Sequence, residues 1–122
     1  MAVFDIFGEN KRGLKYDLPY HEFSENDMIA VKKLIIEWKS TSSKVIGLVS
    51  IDLIDKSPIN PRQQMCSFTK QHNNTITEVD FVFPVFHAIQ RQFLADATIS
   101  IESIFEKNIP EIKNVYIQLI TQ

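Results

Sequence analysis

The chain has 122 residues, 44% hydrophobic and 23% charged, with 13 Lys and Arg against 15 Asp and Glu for a formal net charge of -2. This length fits one domain over residues 1–122, and the apolar content argues against disorder. The balanced charge excludes a generally basic nucleic-acid binder, and the lone cysteine, Cys66, excludes an internal disulfide.

The first residues, Ala2 to Phe7, read as a short apolar strand. They lack the basic start and long apolar run of a signal peptide, and no window approaches the ~20 apolar residues of a membrane helix. The expected compartment is therefore the cytoplasm. A polar turn from Gly8 to Gly13 follows, and Leu14 to Leu18 can pair back as a second strand before Pro19.

Ser24-Glu25-Asn26-Asp27 resembles a helix start, with a capping hydroxyl and acids at the positive end of the dipole. Met28, Val31, Leu34, Ile35 and Trp38 recur at spacings of three and four, which predicts a helix over 25–39. Ser40 to Ser43 is a polar break. From Lys44 to Ile54 the chain is β-rich. Val45, Gly47, Val49, Ile51 and Leu53 share one side, while Ile46 and Leu48 give way to Ser50 and Asp52 on the other. This strand is expected to be covered on both faces at its start and wetter at its end.

A loop through Pro58 and Pro61 leads to a strand from Gln64 to Lys70 and a turn at Gln71-His72-Asn73-Asn74. Thr75 to Phe83 alternates, with Glu78 and Asp80 on the polar side. Phe86, Ile89, Phe93, Ala97, Ile101 and Ile104 then keep helical spacing, predicting a helix over 85–107. The β-branched run at Thr98-Ile99-Ser100-Ile101 marks a place where it could break. Asn114 to Ile120 reads as a closing strand. The expected fold is α+β, with two amphipathic helices packed on a mostly antiparallel sheet, in the β-α-β-β-α-β order of a ferredoxin-like sandwich.

Residues suited to chemistry are few. Glu78 and Asp80 point to one side of their strand and could share a metal or split acid and base roles, although acids also belong on any solvated strand face. His21, His72 and His87 have no ligand spacing. Cys66 lacks a local group to lower its pKa. Glu9-x-Lys11, Glu37-x-Lys39 and Glu111-x-Lys113 are triplets that composition alone supplies. Lys11, Arg12 and Lys15 form a small basic cluster flanked by acids. With three glycines there is no phosphate-cradling loop or nucleophile elbow.

These features favour a small cytoplasmic protein that binds and neutralises another protein, such as the immunity protein of a bacterial toxin. Acidic and aromatic groups at Tyr16, Tyr20, Glu22, Glu78 and Asp80 would form its contact face against a basic active site. No cofactor, catalytic residue or metal is assigned on this reading. Neither nucleic acid nor membrane is the primary partner, and a homodimer is compatible with it. The alternative is a small metal-dependent enzyme or metal-binding domain using Glu78, Asp80 and a histidine. A third option, a self-associating structural subunit, requires a large exposed apolar patch.

Overall fold

The computed structural model describes residues 2–6, 15–39, 44–56, 62–81, 88–104 and 112–121. Its regular elements are strands: β1 (Ala2–Asp5), β2 (Lys15–Asp17), β3 (Met28–Trp38), β4 (Val45–Asp55), β5 (Arg62–Lys70), β6 (Ile76–Asp80), β7 (Ile89–Gln90), β8 (Leu94–Ser103) and β9 (Ile112–Thr121). Two single turns of 3₁₀ helix, Tyr20–Glu22 and Arg91–Phe93, are the helical pieces among the described residues.

The expected α+β fold with two amphipathic helices is therefore corrected to a nearly all-β one. The 25–39 helix is β3. The described part of the 85–107 segment is β7, a 3₁₀ turn and β8. Each difference has a physical cause. In β3, Ile29 and Val31 face the interior, and so do Leu34, Ile36 and Trp38. Between them the ladder to β9 skips from Val31 to Lys33, so Lys32 is an extra residue. A bulge shifts the inward parity by one and produces a spacing of three. In β8 the ladder to β4 skips Ala95, and the inward set runs Leu94, then Ala97, Ile99 and Ile101. Bulged strands thus imitate helical periodicity. Their β-branched residues suit the extended backbone they adopt.

Two antiparallel sheets result. Sheet A has the order β1-β9-β3-β6, with β7 beside the start of β3, and sheet B the order β2-β8-β4-β5. The pairs β1–β9, β2–β8, β3–β6 and β4–β5 are all antiparallel. They describe one long two-stranded ribbon whose first half runs β1 to β4 and whose second half returns from β5 to β9. Rolling that ribbon brings β9 against β3 and β8 against β4. This is the jelly-roll arrangement of a β-sandwich. A ferredoxin-like layout, which needs helices to cover one sheet, is thereby replaced by a second sheet that covers the first.

The interior is one hydrophobic cluster drawn from both sheets. Leu34, Ile36, Val115, Ile117 and Leu119 of sheet A meet Val49, Ile51, Ile99 and Ile101 of sheet B. Each such aliphatic side chain contributes about 1.5–3 kcal/mol by leaving water. Trp38 and Phe68 face each other with ring centroids 6.3 Å apart. Lys70, fully buried, donates to the Gln71 carbonyl at 3.3 Å and holds its ammonium 5.9 Å from the Trp38 ring. The expected turn after β5 is present, and Asn73 takes a left-handed φ of 69° that asparagine tolerates. No described helix is long and apolar enough to cross a membrane.

Candidate protein-binding surface

The five residues singled out from the sequence do not come together. Tyr16 lies opposite Ile99 with its side chain in the core, 2% exposed. Burial raises its phenol pKa above the ordinary value. Tyr20 is half-buried in the turn after β2. Its hydroxyl donates to the Ala95 carbonyl at 3.2 Å, and its own carbonyl accepts from Arg91 Nε at 2.7 Å. The Arg91 guanidinium sits 5.1 Å from the Tyr20 ring centroid, and the His21 ring sits 4.1 Å away. This cluster fastens one 3₁₀ turn to the other. Glu22 is exposed beside it.

Glu78 and Asp80 lie elsewhere, on the outward side of β6 in sheet A. Lys33, paired with Asp80 from the adjacent β3, reaches both, at 3.3 Å from Glu78 and 3.6 Å from Asp80. The hydrogen bond to Glu78, then the charge of Asp80, raises the Lys33 pKa. An ammonium already occupies the place a shared cation would take. Among the described residues no group of three or more His, Cys, Asp or Glu is placed to hold a metal ion. His21 and His72 lie in separate turns, while His87, Lys11, Arg12, Phe83 and Phe86 are outside the described residues. Cys66 is half-buried on β5. Its thiol points to the Asp80 carbonyl at 3.6 Å, and burial, with Asp80 adding to it, raises its pKa. An open cleft of about 540 Å³ is lined by Glu37, Trp38, Lys39, Thr75, Ile76 and Lys113. It holds one carboxylate and neither histidine nor cysteine.

The outer face of sheet B departs from the inside–outside rule, as Val3 and Ile76 do singly on the two outer strands of sheet A. Val45, Gly47, Val49, Ile51 and Leu53 of β4 face the core, so Ile46, Leu48, Ser50, Asp52 and Ile54 face outward. The registers set their neighbours. Ile46 lies beside Thr69, and its carbonyl accepts from the Ile104 amide at 2.9 Å. Leu48 lies between Ser67 and Glu102, Ser50 between Met65 and Ser100, and Asp52 between Gln63 and Thr98. Ser100 and Thr98 continue to Lys15 and Asp17 on β2, and Ile54 faces Asp96. Met65 is 59% exposed, Ile104 49% and Ile54 38%.

Two zones follow from this map. Ile46, Leu48, Met65 and Ile104 form an apolar zone at one end of the strands. Asp17, Asp52 and Asp96 occupy the other end, with Ile54 beside Asp96. The outward faces of a sandwich are ordinarily polar, so this apolar zone is the departure. The sequence carries its signal, because Ile46 and Leu48 stand at the outward parity of β4. What it lacks is the pairing that sets Met65 and Ile104 beside them. Comparisons with protein-family models, with curated proteins and with solved structures returned no match to this chain.

Proposed function

We infer that the protein works as a recognition module for another protein and engages it through the outer face of sheet B. One observation carries this reading. Ile46, Leu48, Met65 and Ile104 point away from a core that is already filled from the opposite side of the same strands. Burying such side chains is favourable at roughly 25 cal/mol per Å², and a partner's surface supplies what the fold does not. The jelly roll itself carries no functional information, because one scaffold serves unrelated tasks. Neutralising the partner by covering its active site is the specific form of this reading that the sequence suggests.

The test is capture of a partner from an extract of the source cell by the full chain, compared with single variants. Met65→Lys and Ile104→Lys place charge within the apolar zone and are expected to lose the captured protein. Ile76→Lys, at an exposed apolar position on sheet A, is expected to keep it. Retention by both sheet B variants would remove the reading. A captured enzyme whose activity falls on titration with the wild-type chain supports the neutralising form. One whose activity is unchanged leaves recognition without inhibition.

A further inference from the structure

Resting on the reading that sheet B's outer face binds a protein, we propose that its partner presents a cationic amphipathic helix, laid along the strands with its basic residues over Asp52, Asp17 and Asp96. Three observations converge on this occupant.

The first is charge. Among the described residues, the outward positions within the strands of sheet B carry four carboxylates, Asp17, Asp52, Asp96 and Glu102, against one cation, Lys15, while the exposed Lys44 and Lys56 flank the two ends of β4. Among the described residues, the ion pairs run from Lys33 to Glu78 and Asp80, and none joins a cation to these four carboxylates. A basic partner finds complementary charge on this face. The same field disfavours an anionic membrane or a nucleic acid on this face.

The second is the separation of apolar from acidic groups. Glu102 borders Leu48, but the other three acids lie beyond Ser50 and Ser100. A partner that matched only charge would leave Met65 and Ile104 in water. One that matched only hydrophobicity would strand the acids without counter-ions. An amphipathic segment with basic residues toward one end answers both.

The third is shape. From Ile46 to Ile54 the outward row of β4 spans eight residue steps, about 26 Å. Four strands give a face about 14 Å wide between the outer strands. A helix of about 17 residues has that length, and its ~10 Å diameter fits that width. Helix on sheet is also a common way of covering a sheet face.

The probe is a synthetic helical peptide about 18 residues long whose sheet-facing positions are Leu in one half and Lys in the other, with Glu replacing Lys in its control. Amide shifts of the isotope-labelled full chain report where each peptide binds. The expected result is movement of β4, β5 and β8 amides with the Lys peptide alone. Raising salt from about 50 to 500 mM is expected to weaken this binding by about tenfold or more. Asp52→Asn with Asp96→Asn should weaken it similarly while leaving the dispersion of core amide signals intact, and Met65→Ser should weaken it at every salt concentration. Equal binding of the Glu peptide, or shifts confined to sheet A, would overturn the proposal. So would a chain that sediments as a dimer and becomes a monomer on Met65→Lys, because a second copy would then be the occupant. If neither peptide binds while Met65→Lys still abolishes capture of a cellular partner, this inference fails and the recognition reading survives.

Discussion

Trp38 donates its indole N–H to the Thr77 hydroxyl at 2.8 Å inside the protein, tying β3 to β6, an outer strand of sheet A. Both residues are buried, with Trp38 3% and Thr77 7% exposed, so no solvent competes for either partner. The indole thereby fills the interior with its ring and satisfies its single donor through one hydroxyl.

Thr77→Val keeps the shape of that side chain and removes the acceptor. The indole N–H is then buried without its partner, which costs about 1–3 kcal/mol. Urea unfolding should show a lower midpoint with an unchanged slope. Thr77→Ser, which retains the oxygen, should lose less than the valine variant. An equal loss in both would mean that packing, and not the hydrogen bond, matters at this position.

Gly47 marks a second point where the two sides of sheet B leave no room. A β-carbon there would press against the Phe68 ring and come within 2.8 Å of the Glu102 carbonyl oxygen. Gly47→Ala should destabilise the fold by about 1–3 kcal/mol through overpacking. Adding Phe68→Leu should recover part of the loss, because it removes the ring but not the backbone oxygen. No recovery in the double variant would place the conflict at the Glu102 backbone alone.

Alkaline pH should act through Lys33 and Tyr16. The folded Lys33 has a raised pKa, so its contribution is fully present below the ordinary lysine value of about 10.4. It is lost as pH climbs through the folded one. Tyr16 is also raised, by burial, so above about pH 10 the unfolded chain releases this proton first and stability falls. Thermal midpoints recorded from neutral pH upward should decline in the alkaline range. Tyr16→Phe and Lys33→Met should each flatten that decline. A slope that both variants leave untouched would place its origin in other groups.

Cys66 should be sluggish toward thiol reagents at neutral pH. Burial, followed by the nearby Asp80 charge, raises its pKa and leaves little thiolate. The folded chain is expected to react more slowly than the urea-unfolded chain, and Asp80→Asn should speed the folded reaction modestly. Equal rates in folded and unfolded protein would show that the thiol is more open than its place between β5 and β6 implies.

Strands with unbroken alternation are legible in the residue pattern alone. Val45 to Leu53 and Val115 to Leu119 place every second residue in the core, as their patterns demand. Strands with bulges are not. Skipping Lys32 in β3 and Ala95 in β8 sets inward residues three apart, and a helix is the simplest periodic reading of that spacing. The β-branched run through Thr98 and Ile101 is the local sign against it. Of the candidate surface, only the outward Ile46 and Leu48 can be picked out by pattern. Met65 and Ile104 join them through ladders that connect distant parts of the chain.

By itself the sequence determined what is local: which residues are apolar, where alternation holds, where Asn73 lets the chain turn, and that Glu78 and Asp80 share a side. Tertiary structure alone decided that the chain rolls into two sheets, that Tyr16 is interior, and that one sheet carries both an apolar and an acidic zone outward. The reason is the nature of strand pairing. A strand's backbone groups are satisfied by another segment, often far along the chain, so the choice of partner is not written in the strand that makes it.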